Sequence, residues 1–126
     1  MSQAIRRRQP MKMSKIYPDL PNKIAEMAEG DHEFKTQLTL AIQNGIEELK
    51  EKYAKGSATQ DAEIIQQIRH KVKPTLQLFG FDDLIDYLND GKQILESEGF
   101  GSKFDLHAGK VDSQLAKALE RLKSLS

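Results

Sequence analysis

Apolar residues recur every three or four positions along most of this chain, and glycine or proline interrupts the pattern at intervals. This spacing predicts amphipathic α-helices that each bury one apolar stripe. No segment alternates apolar and polar residues for long enough to predict a β-sheet. A short helix opened by Pro18 and Pro21 is followed by four longer helices with short connections. The pattern therefore predicts an all-α fold, an antiparallel up-and-down four-helix bundle with a short additional N-terminal helix.

Residues that commonly cap helices predict the boundaries of the first two long helices. Asp31 is a suitable N-terminal cap for the first, whose apolar stripe continues until Gly56. The second is predicted to start at Ser57 or Thr59 and to end at Gly80. Hydroxyl side chains favour helix starts, and glycine favours helix ends.

The last two long helices are delimited in the same way. Asp82 is predicted to cap the third. Residues 99–109 are predicted to form a loop, with Phe100 and Phe104 covering one end of the bundle. The final helix is then expected to begin near Asp112.

The second long helix carries the most informative residue of the chain, His70. On a helical wheel its apolar side chains fall within one arc about 120° wide. These apolar residues are Ile64, Ile65, Ile68, Val72, Leu76 and Phe79. His70 lies about 180° from the centre of that arc, flanked by Gln66, Gln67, Lys73 and Gln77. The imidazole is therefore predicted to face water, where it is available for chemistry.

Lys73 follows His70 by three residues, so the two side chains are neighbours on a helix surface. An ammonium group there can offset the charge of a phosphoryl group on the imidazole and donate hydrogen bonds to it. Neutral imidazole is the nucleophilic form of histidine, and it predominates near pH 7. Phosphoryl transfer chiefly needs in-line positioning and charge compensation. The pair is thus suited to accept a phosphoryl group.

The segment of residues 68–84, IRHKVKPTLQLFGFDDL, resembles the phosphoacceptor segment of histidine phosphotransfer (HPt) domains. In that family a hydrophobic residue, a lysine, a second hydrophobic residue, a glycine and a leucine follow the histidine at set distances. Here those positions hold Val72, Lys73, Phe79, Gly80 and Leu84. Pro74 departs from the pattern because glycine is usual there, and Leu76 is larger than the usual serine or alanine. With the helix order, the resemblance extends over residues 15–125.

The resemblance implies a phosphoryl carrier in a two-component phosphorelay rather than an enzyme. His70 would accept a phosphoryl group from an aspartate of one receiver domain and pass it to another. The implied partners are receiver domains of response regulators and of hybrid histidine kinases, whose own Mg²⁺ and lysine supply most of the transition-state stabilisation. We predict no cofactor and no metal bound to this chain itself. The predicted partner contacts are Gln66, Gln67, Pro74, Gln77 and Lys92, with Asn89 and Gln93 as alternatives to Lys92.

Pro74 leaves two interpretations open. Its ring crowds the carbonyl of His70 and it cannot donate a hydrogen bond to that carbonyl. The helix therefore either bends and continues, or ends near Lys73, and the apolar stripe through Leu76 and Phe79 favours the first.

Pro74 also keeps an alternative function open. In that alternative the chain is an interaction module that docks receiver domains without accepting a phosphoryl group.

Length and composition exclude several other classes of protein. The chain has 126 residues, enough for one domain, and we divide it into a flexible tail, residues 1–14, and a helical bundle, residues 15–126. It has 19 basic and 19 acidic residues, 6% aromatic residues and no cysteine. Balanced charge and few aromatic residues argue against nucleic acid and against an anionic membrane surface as partners. No apolar run is long enough to span a bilayer and no signal-peptide core appears near the start, so we expect a cytoplasmic protein. Because each helix has one apolar stripe and the core needs all of them, we expect a monomer.

The two other histidines, His32 and His107, are far apart in sequence and lack metal-ligand spacing. Each is predicted to be a surface or capping residue. The neighbouring carboxylates Asp82 and Asp83 are predicted to favour a helix start rather than to catalyse proton transfer.

Overall fold

The structure of the protein, a computed structural model, describes residues 18–125. Those residues form five α-helices and no β-strand, which confirms the all-α fold class. The helices are α1 (Leu20–Ala28), α2 (His32–Thr59), α3 (Ala62–Leu78), α4 (Asp82–Glu98) and α5 (Ser102–Lys123). The tail predicted for residues 1–14 lies outside the described residues.

Each of the four longer helices packs against two of the other three. Helix α2 contacts α3 and α5, helix α4 contacts the same two, and α1 packs on α2. Their apolar stripes meet in one core, which buries residues from all five helices. On α3 the stripe is buried as predicted at Ile65, Ile68, Val72 and Leu76, and it continues into the buried Phe79 just after the helix. Burial of these stripes supplies most of the stability of such helices.

Two of the predicted helix boundaries agree with the structure. The carboxylate of Asp31 accepts a hydrogen bond of 3.0 Å from the backbone N–H of Phe34, so Asp31 caps α2. Gly80 follows α3 with a φ of +81°, in the left-handed region that glycine adopts easily. The turn after α3 therefore needs the glycine that the sequence provides.

The prediction that Gly56 ends α2 is wrong, as is the start of α3 at Ser57 or Thr59. Helix α2 continues to Thr59, and α3 is capped by Asp61, which accepts hydrogen bonds from two backbone N–H groups of its first turn. A Cβ on Gly56 would lie 2.7 Å from Cδ1 of Ile65. Gly56 therefore lies where α3 approaches α2 closely, and not at a helix end.

The predicted boundaries of the last two helices also need correction. Asp82 is not the cap of α4, because Phe81 occupies that position, but Asp82 lies in the first turn, where a carboxylate favours the helix dipole. The loop predicted for residues 99–109 is wrong, since α5 begins at Ser102. Phe104 is fully buried within α5 and extends its apolar stripe by more than two turns.

In the range 18–125, no helix combines the length and the apolar character needed to cross a membrane.

Candidate functional site

Helix α3 turns His70 toward solvent because its opposite face is held in the core. Asp61 begins the helix, and Ile68 and Val72, which flank His70 by two residues on either side, are both buried. Residues two apart on a helix point about 200° apart. His70 and Lys73 are accordingly both exposed. The structure thus places the two residues where the sequence predicts them.

Pro74 lies inside α3, which continues through it to Leu78. The interpretation in which the helix ends near Lys73 is therefore wrong. Because the helix is continuous, His70 and Lys73 keep the i, i+3 relationship that brings their side chains onto neighbouring positions. Pro74 itself is exposed beside them.

Replacing Pro74 with alanine is expected to raise the free energy of unfolding by about 2 kcal/mol. Alanine restores the backbone N–H that can bond to the carbonyl of His70, and it removes the clash of the proline ring with that carbonyl. Urea unfolding of the two proteins measures the difference. Pro74→Gly is the control and should gain about 1 kcal/mol less than Pro74→Ala. A Pro74→Ala protein no more stable than the wild type would show that the proline costs this helix nothing.

The predicted partner contacts on α3 share its exposed face. Gln66 and Gln67 border a shallow depression with Glu63 and His70. Gln77 is exposed two turns further along the helix. This face consists mainly of amides and charged groups around one imidazole.

The two flanks of this face differ in charge pairing. On the flank toward α2, the ammonium group of Lys71 forms an ion pair of 2.7 Å with Glu48. On the flank toward α4, Arg69 and Lys73 border a narrow cleft whose walls include Leu88 and Asn89 of α4. Neither Arg69 nor Lys73 forms an ion pair with any described residue. Arg69 and Lys73 thus leave two unpaired cations on the α4 side of His70, whereas on the α2 side Lys71 is paired and Lys52 is unpaired among the described residues.

The structure also distinguishes the three candidates on α4. Lys92 and Gln93 are exposed, and neither makes a side-chain hydrogen bond or ion pair with residues 18–125. Asn89 is the one that borders the same cleft as Lys73. Lys92 lies one turn further along α4.

His107 is not the surface or capping residue predicted from the sequence. It is 6% exposed and lies within α5, and its Nε2 atom is 2.9 Å from the hydroxyl oxygen of Tyr53 on α2. Its ring also lies against the rings of Tyr87 and Phe104.

Burial, with a smaller contribution from the nearby Lys110 ammonium, lowers the pKa of His107 to about 4. Burial also raises the pKa of Tyr53, and the Arg69 guanidinium partly offsets that increase.

The sequence does contain a signal that His107 is buried, but the loop predicted for residues 99–109 obscures it. Phe104, His107, Val111 and Leu115 recur at helical spacing, and all four are buried. Extending α5 upstream would have placed His107 on its apolar face. His32 is exposed, as predicted.

The buried His107 makes stability depend on pH in a defined window. Its pKa is about 4 in the folded protein and 6.5 when unperturbed, so the unfolded chain binds more protons between these values. The free energy of unfolding should therefore decrease as pH falls from 6.5 to 4, by at most about 1.4 kcal/mol per pH unit. Urea unfolding at a series of pH values measures this slope.

The variant His107→Gln controls for the carboxylates, which titrate in both proteins. Above pH 5 the variant should lose less stability per pH unit than the wild type. Identical slopes in the two proteins would contradict the assignment to His107.

The described residues contain no group of three or more histidine, cysteine, aspartate or glutamate side chains that could hold a metal ion. Comparison of the chain with known proteins found no matching family model, no matching curated protein and no matching solved structure.

Proposed function

We propose that this chain is a histidine phosphotransfer module that relays a phosphoryl group between receiver-domain aspartates through His70. The observation that carries the proposal is an exposed imidazole on a continuous helix with an exposed, unpaired lysine three residues later. The resemblance of residues 68–84 to the HPt phosphoacceptor segment, with its downstream Gly80 and Leu84, supports the same assignment.

The proposed reaction is a reversible exchange between two nucleophiles. A neutral imidazole nitrogen of His70 attacks the phosphorus of an aspartyl phosphate, and the bond from phosphorus to the aspartate oxygen breaks. The aspartate leaves as a carboxylate, and the phosphorylated ring loses a proton from its other nitrogen to solvent. The reverse sequence with a second receiver aspartate completes the relay. Lys73 would stabilise the phosphoryl oxygens by charge-assisted hydrogen bonds.

The antiparallel arrangement that such a module requires is part of the proposal. Three pairs of positions on α2 and α3 support it: Gly45 faces Thr75, Glu48 pairs with Lys71, and Gly56 faces Ile65. Position numbers rise on α2 as they fall on α3. Lys50 with Asp112 and Tyr53 with His107 give the same order for α2 and α5. We infer an up-and-down bundle in the described residues.

A second candidate function is an interaction module that binds receiver domains without accepting phosphate. The observation that favours it is Pro74, which occupies the exposed position beside His70 where glycine is usual in HPt domains. The ring adds bulk close to the route by which a receiver aspartate would approach.

The deciding experiment is to incubate the chain with receiver domains phosphorylated on aspartate and to analyse the label that it acquires. We expect transfer of phosphate that is labile to acid and stable to base, as a phosphorus–nitrogen bond to imidazole is. A receiver that binds the chain but keeps its phosphate would select the second function. If no receiver domain encoded in the genome that encodes this chain either binds it or transfers phosphate to it, both candidate functions are rejected.

A further inference from the structure

Helix α3 presents positive charge on both sides of His70, but the structure neutralises only one side. Lys71, on the α2 flank, is tied to Glu48 at 2.7 Å. Arg69 and Lys73, on the α4 flank, have no carboxylate within ion-pair distance among residues 18–125. The exposed face around His70 therefore carries an electrostatic asymmetry.

Helix α4 adds a polar and a positively charged residue on the same side of His70 as Arg69 and Lys73. Asn89 borders the cleft with Arg69 and Lys73, and Ile85 and Leu88 form its apolar walls on the α4 side. Lys92 follows Leu88 by four residues, so it continues the α3-facing row of α4 by one turn. Helical periodicity puts Asp86 and Asp90 on the other side of Asn89 from Lys92. Asp82 and Glu96 lie nearly in line with Asn89, two turns away toward either end of α4, and neither forms an ion pair with Arg69, Lys73 or Lys92. We call Arg69, Lys73, Asn89 and Lys92 the cationic seam.

We propose that the cationic seam is the docking surface for an acidic face of the receiver domain, so that the partner approaches His70 across α3 and α4 rather than across α2 and α3. This inference rests on the proposed function, because it takes the receiver as the partner.

Charge complementarity is the argument for this occupant. Three unpaired cations within one face attract a surface of opposite sign, and such attraction raises association rates and orients the encounter. The α2 flank offers less attraction because the charge of Lys71 is compensated by Glu48, which leaves Lys52 as the one unpaired cation beside that pair among the described residues. The cleft itself is narrow, so the partner lies over the seam instead of inserting a large group between the helices.

The test compares three variants that each remove one positive charge: Arg69→Gln, Lys92→Gln and Lys71→Gln. Affinity for an unphosphorylated receiver domain is measured by calorimetry at 50 mM and 500 mM salt. We expect Arg69→Gln and Lys92→Gln to weaken binding about fivefold at low salt, which corresponds to about 1 kcal/mol per rim charge. Lys71→Gln should change affinity less than twofold. The differences should shrink at high salt because the charges are screened.

Circular dichroism during thermal unfolding controls for misfolding, because Arg69 is half-buried and lies near Tyr53. Lys92 is exposed and keeps the test valid if Arg69→Gln is unstable. Equal weakening by Lys71→Gln and Lys92→Gln, or an affinity insensitive to salt, would overturn the proposed docking surface. Normal phosphoryl transfer in that case would leave the proposed function intact. Conversely, binding that depends on the seam without transfer would retain the surface and reject the relay.

Discussion

A His70→Gln variant is expected to acquire no phosphate from a phosphorylated receiver domain under conditions that label the wild-type chain. Glutamine retains a polar side chain at this exposed position but has no nucleophilic ring nitrogen, so the phosphorus–nitrogen bond cannot form. Since the side chain is exposed and no described residue hydrogen-bonds to it, the substitution should leave the fold unchanged. Autoradiography after transfer, with circular dichroism to verify the fold, measures the outcome.

His32→Gln is a matched control within the same chain. His32 is also exposed in a helix, and Lys35 follows it at the same spacing as Lys73 follows His70. Its two sequence neighbours are the carboxylates Asp31 and Glu33, which repel a phosphoryl dianion. The His32→Gln variant should therefore be labelled like the wild type. Equal labelling of His70→Gln and wild type would reject His70 as the acceptor.

Replacing Gly91 with alanine is expected to lower the free energy of unfolding by about 2–4 kcal/mol. A methyl group on Gly91 would overlap the Nε2 atom of His107 and the hydroxyl oxygen of Tyr53. To make room, the rings must separate, which breaks a buried hydrogen bond and leaves two polar groups unsatisfied in the core. This cost exceeds the roughly 1 kcal/mol that alanine gains over glycine inside a helix. Urea unfolding at pH 7 measures the change.

Gly109→Ala tests whether the effect arises from contact rather than from helix propensity. Gly109 also lies inside a helix, α5, but a Cβ on it would meet no atom within 4 Å. The variant should gain about 0.5–1 kcal/mol, because alanine loses less backbone entropy on folding. If Gly91→Ala is stabilised as much as Gly109→Ala, the His107 ring can move away from the added methyl group without a loss of stability, and the prediction is wrong.

The exposed position of His70 could be predicted because it depends on local spacing alone. Residues two apart on a helix point in nearly opposite directions, so the apolar residues around His70 determine where its ring points. The same argument predicted the buried positions of α3 and the continuity of the helix through Pro74. Capping chemistry is equally local, and Asp31 was identified by it correctly.

The glycines show where local reasoning fails. Gly56 is predicted as a helix end and Gly109 as part of a loop, yet both lie inside helices, as Gly91 does. Glycine terminates a helix in one context and permits close packing in another, and the sequence does not distinguish these uses. Gly56 and Gly91 are explained only by Ile65 and by the Tyr53–His107 pair, which reach them from other helices.

By itself, the sequence determined the helical class, the apolar stripe of α3 and the outward direction of His70 and Lys73, because these follow from periodicity within one helix. The tertiary structure alone decided that His107 is buried against Tyr53, that Lys71 is paired with Glu48 and that Arg69 and Lys73 are left unpaired. Each of the two pairings joins residues at least 23 positions apart in the chain. Such contacts depend on how helices align with one another, which no short-range pattern encodes.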